Sequence, residues 1–271
     1  DVFFCIILTV CQESEIDVLR DSRWSNSVGV AAVRDRSRFE TFTVGGYQAR
    51  ATVDFASAIL GSDDRYLRLF GDLSAYRELR PRWVLAGRLL GGTFLQGGFG
   101  ETGFIPPERL FYGGGPNTVR GLERNSLGPT VYVTSAEIAP GDSVFSGDDD
   151  DVEIAATGGT RIVVGSIELR IPSPILAQNL RFATFVDAGR VSSDTVPGPW
   201  RLTPGAGVRY VSPVGAIRVD LGFNPYRPEE GPLFGFDDAT GELIPLGRYR
   251  RPEPKNFLDR FQIYIAVGQA F

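Results

Sequence analysis

The stretch GAIRVDLGFN, residues 215–224, alternates without a slip. Ile217, Val219, Leu221 and Phe223 fall on one face, and Arg218, Asp220, Gly222 and Asn224 on the other. Period two marks a strand, because successive side chains leave a pleated backbone on opposite sides. The charges are the unusual part. Arg218 and Asp220 stand in the middle of the strand and not at its ends. In a soluble sandwich such a face points at bulk water. In a membrane barrel it lines a wet lumen while the apolar face meets lipid.

The same pattern recurs along the chain. In RIVVGSIELRI (161–171), Val163, Gly165, Ile167, Leu169 and Ile171 oppose Ile162, Val164, Ser166, Glu168 and Arg170. In LRFATFVDAG (180–189), Leu180, Phe182, Thr184 and Val186 oppose Arg181, Ala183, Phe185 and Asp187. In FQIYIAVGQAF (261–271), Ile263, Ile265 and Val267 oppose Gln262, Tyr264 and Ala266. Further strands are predicted at 27–34, 47–58, 66–77, 83–93 and 203–211. That makes nine strands, with a possible tenth near the start. Strands of roughly 9–11 residues can cross a bilayer on a tilt. No segment keeps a helical period over three turns. By strand phase, Arg68, Asp72 and Arg88 join the candidates for a lumen face.

The turns favour the membrane barrel over the soluble sandwich. They alternate between short (Ser212–Pro213, Pro172–Pro174) and long (97–159, 225–259). Outer-membrane barrels have short periplasmic turns and long external loops. Composition agrees with an all-β chain: 33 glycines, 19 phenylalanines and 9 tyrosines among 271 residues. The net charge of −5 argues against a dedicated nucleic-acid binder. Histidine is absent, which removes the usual metal ligand and neutral-pH proton shuttle. GDDDD at 147–151 lacks EF-hand spacing and reads as a solvated external loop. GGGPNTVRG lacks the GK[ST] of a phosphate loop. No catalytic residue, metal or cofactor is assigned.

Residues 1–23 stand apart. Cys5 and Cys11 lie in an apolar run of about ten residues, too short for a membrane helix of roughly 20. The run reads as a leader or a degraded strand. On a single strand, two cysteines six residues apart are too distant to bond. The chain begins at Asp1 and holds no methionine, so it reads as processed or as a fragment.

Four pieces together resemble one family. ERLFYGGGPNTVRGL (108–122) resembles the signature loop of the BamA/TamA outer-membrane assembly factors, the bacterial surface antigen family. FVDAG (185–189) resembles a strand motif of that family, GAGVRYVSPVGAIRVDLG (205–222) a hairpin near its C-terminus, and FQIYIAVGQAF its final strand. The resemblance covers roughly 24–271. It implies a 16-stranded antiparallel transmembrane β-barrel in the outer membrane of a Gram-negative-type bacterium. This chain would supply its C-terminal ~9–10 strands. The first strands and the periplasmic POTRA domains would lie outside it.

The implied function is non-enzymatic help with inserting or translocating other outer-membrane proteins. Implied partners are outer-membrane lipids, client β-proteins and accessory periplasmic or lipoprotein subunits, with no nucleic acid and no cofactor. The loop within 97–159 would fold into the lumen and present Val119, Arg120, Gly121 and Leu122. Arg120 would reach Asp187 and Glu168, which strand phase already puts on the polar face. A guanidinium suits this because it stays charged and offers a fork of donors. Gly113, Gly114 and Gly115 would let the loop backbone pack closely. The family prefers an aromatic where this chain has Leu122. Gly268 matches a glycine that kinks the last strand, and Phe271 a terminal aromatic signal at the barrel seam. The alternatives are a two-partner-secretion-type transporter, with a plug helix and two POTRA domains upstream, and a passive porin-like channel.

Overall fold

Every segment with charged alternation becomes a strand of one sheet. The computed structural model describes residues 24–39, 42–95, 105–138, 152–176, 178–193, 196–212, 215–237 and 243–267. In chain order the strands are β1 (Ser27–Asp35), β2 (Arg38–Phe39), β3 (Thr43–Ala56), β4 (Tyr66–Arg80), β5 (Trp83–Leu95), β6 (Thr130–Ile138) and β7 (Val152–Ala156). There follow β8 (Arg161–Pro172), β9 (Leu180–Ser192), β10 (Arg201–Ser212), β11 (Gly215–Phe223), β12 (Glu230–Asp237), β13 (Leu243–Arg250) and β14 (Phe261–Val267). The main sheet runs β1-β3-β4-β5-β8-β9-β10-β11-β14, with β2 paired beside β3. Each neighbouring pair along it is antiparallel.

The connections sort onto two rims. Tight turns join β4 to β5, where Arg80 faces Trp83, and β10 to β11, where Ser212 faces Gly215. The long excursions leave from the opposite rim. The end strands β1 and β14 do not pair with each other among the described residues. Among the described residues the sheet is therefore open. Closure and 16 strands were expected of the whole barrel, of which this chain would supply ~9–10 strands; nine lie along the sheet, with β2 beside them.

The faces are reversed relative to a soluble protein. Near the middle of β8, Ile167 is 63% exposed while its neighbour Glu168 is 0%. On β9, Phe182 and Val186 are exposed while Asp187 is buried. Burying charge is costly and exposing aliphatic side chains gains nothing in water. The arrangement becomes favourable when lipid covers the outer face.

The long excursions are not simple loops, as 97–159 and 225–259 were expected to be. They contribute a second sheet, in the order β13-β12-β6-β7. Its β12–β6 pair is parallel, so the chain is not antiparallel throughout. Proline concealed β12 and β13. Pro245 and Gly247 of β13 lie where the register with β12 shifts between Leu233 and Phe234. A bulge is the place where a sheet tolerates proline and a left-handed glycine, and Gly247 has φ 100°. Tyr132, Val152, Leu233 and Leu246 make this sheet a small core of its own.

The inner face of the main sheet is also drier than expected. Phe111, Val119, Leu122 and Leu127 of the loop pack there against Leu90, Phe94, Ile162, Val164 and Val191 of the wall. Residues 1–23, with Cys5 and Cys11, lie outside the described residues, as do 147–151, Gly268 and Phe271. The last strand, expected over 261–271, is described over Phe261–Val267.

Candidate functional site

The segment 113–122 folds back against the inner face of the main sheet. Gly114 and Gly115 have φ of 100° and 90°, a region that favours glycine. Their turn is closed from within. Gly114 N–H donates to Thr118 Oγ1 (2.8 Å), and Gly115 N–H reaches the carbonyls of Val119 (3.2 Å) and Leu122 (3.1 Å). Gly113 accepts from Leu127 N–H at 2.9 Å and packs beside that side chain. This turn aims Arg120 at the wall.

The structure brings Arg120, Asp187 and Glu168 together. Arg120 Nε and Nη2 donate to the two oxygens of Asp187 at 2.7 and 2.8 Å, a bidentate fork. Its backbone N–H adds a third bond to Asp187 at 3.0 Å. Nη1 reaches Glu168 Oε2 at 2.5 Å, and Nη2 reaches Ser166 Oγ at 3.2 Å. Ser166 Oγ also donates to Asp187 Oδ1. The guanidinium lies over the Phe185 ring, its carbon 3.4 Å from the centroid. Arg120 is 2% exposed and both acids 0%.

The cluster extends beyond these three. Glu168 also holds Arg170 (2.8 Å) and Arg209 (2.9 Å), and Asp220 holds Arg209 at 2.6 Å. Such groups tolerate burial only collectively, since each charge is compensated by the others. A permanently charged guanidinium held by carboxylates suits holding a segment in place more than moving protons.

Other bonds spread the loop across the sheet. Asn117 accepts from Arg88 Nη1 of β5 at its carbonyl (2.7 Å) and from Arg218 Nη2 of β11 at its side-chain oxygen (2.6 Å). Gly121 N–H donates to Thr203 Oγ1 of β10 at 3.2 Å. Tyr264 Oη of β14 donates to the Leu122 carbonyl at 2.5 Å. The loop is thus bonded to six wall strands: β5, β8, β9, β10, β11 and β14. Leu122 sits 5% exposed in the core. Arg88 pairs with Asp72, and Arg68 with Asp54.

Gly222 marks the closest backbone approach. A Cβ built there would meet the Arg120 carbonyl and lie 2.7 Å from Gly121 N. Gly222→Ala is expected to lift the loop off β11 and destabilise the protein by about 1–3 kcal/mol, the range for overpacking. Urea unfolding together with protease sensitivity of 113–122 would read it. An unchanged loop would mean that the contact yields more easily than its geometry implies.

A family model described as the Omp85 superfamily domain matches residues 11–271. The chain belongs to the Omp85 superfamily. This Omp85 chain is similar to the outer membrane protein assembly factor BamA of Neisseria meningitidis serogroup B, 37% identical over 190 residues, which are 66% of this chain and 21% of that protein. It is also similar to the protein of the same name from Nitratidesulfovibrio vulgaris, 29% identical over 175 residues, 63% of this chain and 19% of that one. The chain spans about a fifth of the length of these curated relatives. In fold it matches the crystal structure of BamA from Haemophilus ducreyi lacking POTRA domains 1–3. The TM-score is 0.58 and the identity 21%, over 88% of this chain and 41% of that one. Omp85 membership places the chain in the outer membrane of Gram-negative bacteria. The family expected from four motifs is the family found.

Sequence reasoning passed over several partners within the Omp85 site. Phe185, Ser166 and Asp220 were on the polar face by phase, yet nothing marked them as contacts. Thr203 and Asn117 carried no signal. Tyr264 was read only as one residue of an alternating strand.

Proposed function

We propose that this chain forms about nine C-terminal strands of a 16-stranded outer-membrane barrel that assists insertion or translocation of other outer-membrane β-proteins. The observation that carries this reading is the buried Arg120 cluster, which ties one loop to most of the wall in a member of the Omp85 superfamily. The loop braces the wall from inside, while the terminal strand β14 has one strand partner, β11, among the described residues. A strand with one free edge can accept another strand by β-augmentation. In this reading the seam at β14 opens and a client strand pairs there. Gly268 weakens regular pairing at the seam, and Phe271 serves as the C-terminal signal for the protein's own insertion. The process is non-enzymatic. Clients, lipids and accessory periplasmic or lipoprotein subunits are its partners.

The full-length protein, reconstituted in liposomes, is expected to speed the folding of an unfolded outer-membrane β-barrel client above protein-free liposomes. Gel-shift of the folded client measures this. Large steady conductance with no acceleration would replace the assembly reading with a porin-like one.

A further inference from the structure

We propose that Tyr264 is a positioning residue that latches the terminal strand to the lumen loop, so that release of β14 and release of the loop are one event. The proposal rests on the reading of β14 as the seam strand. It starts from how little else holds that strand. β14 pairs with β11 from Ile217↔Val267 to Phe223↔Phe261. Among the described residues no strand pairs with its other edge. Its outward side chains Ile263, Ile265 and Val267 are 66%, 75% and 78% exposed. On that face Phe261, at the start of the strand, packs against the rings of Phe223 and Phe257. Beyond Phe261, what remains is the inward face.

On that face the Tyr264 hydroxyl reaches the Leu122 carbonyl at 2.5 Å. This acceptor is itself structural, because the same oxygen accepts Gly115 N–H at 3.1 Å and closes the glycine turn. Leu122 is buried in the core between loop and wall. Two residues upstream, Arg120 is fixed to Asp187 and Glu168, and between them Gly121 is fixed to Thr203. A short, fully anchored segment thus connects the ion cluster on β8 and β9 to the free-edged strand β14.

The bond also senses register. In the observed pairing Tyr264 faces Asp220 on β11. A one-residue slip of β14 would turn Tyr264 to the lipid side. A two-residue slip would put Gln262 or Ala266 at its place, and alanine has no donor to offer. A one-residue slip, or the two-residue slip that brings in Ala266, therefore breaks the latch, while the slip that brings in Gln262 would put a shorter side-chain amide donor in place of the phenol. Losing the latch leaves the Leu122 carbonyl and the glycine turn with one donor fewer.

Hydrogen exchange on the full-length protein in lipid nanodiscs tests this. Tyr264→Phe keeps the ring and removes the hydroxyl. It is expected to raise exchange about fivefold, the worth of one ordinary hydrogen bond, at the amides of both 261–267 and 113–122. Exchange in β8 and β9 should stay as it is. Tyr226→Phe is the comparator, since it removes a hydroxyl that accepts from Leu202 N–H outside the latch. It should leave both segments unchanged. No rise, a rise confined to β14, or an equal rise in every strand would overturn the latch. Client folding, followed on the same variants, separates the two readings. Raised exchange in both segments with unaltered client folding would keep the latch and remove the seam as the working site.

Discussion

Arg120→Ala in the full-length protein is expected to lower barrel stability by about 3–5 kcal/mol, the range for removing one partner of a buried ion pair. The alanine would strand Asp187 and Glu168, both fully buried, without their shared donor. Arg170 and Arg209 would still hold Glu168, so Asp187 would bear most of the loss. Arg120→Lys should recover little, because an ammonium cannot make the fork to Asp187 and the contact with Ser166 at once. The sharper test is a triple variant, Arg120→Met with Asp187→Asn and Glu168→Gln. It removes the charges together and should be far less damaging than the single alanine. Urea unfolding in detergent gives the stabilities, and proteolysis of 113–122 reports the loop. Wild-type stability and a protected loop in Arg120→Ala would mean that apolar packing alone holds the loop, and the cluster would lose its role.

Ile167→Arg is expected to cost about 2–4 kcal/mol in a bilayer, the range for a charge near the midplane of a barrel's lipid face. Ile167 is 63% exposed and near the middle of β8. On a soluble sandwich such a change would fall within about 0.5 kcal/mol of neutral. The two environments therefore predict different results from one substitution. Unfolding of the wild type and the variant, measured in liposomes, separates them. A neutral result would show that lipid does not cover this face, and the inverted burial would need another cover.

The main sheet was legible because its strands carry two signals at once, alternation and charge in mid-strand. Glu168 and Asp187 fall on the inner face by phase alone, since phase within a strand survives errors of two or three residues at its ends. The second sheet was hidden for the opposite reason. Pro232 and Pro245 break the pattern that reveals β12 and β13, and Pro245 is tolerated because the two strands meet there at a bulge. The packed inner core was hidden too. Phe111 and Leu127 look like stray apolar residues of a loop until the loop folds back onto Val164 and Val191. Phase says which face a side chain occupies. It does not say what comes to meet it, and that left Thr203, Asn117 and Tyr264 without a role.

The parallel pairing of β6 with β12 has a consequence for how the far rim can vary. It joins Tyr132 to Leu233, about a hundred residues apart, and the Tyr132 hydroxyl donates to the Glu229 carbonyl at 2.7 Å. Neither excursion owns the second sheet. A transplant that replaced residues 130–156 with the corresponding stretch of a relative would leave β12 with an unmatched edge and Tyr249 without the ring it packs against. Chimaeras should keep the second sheet only when both excursions are exchanged together.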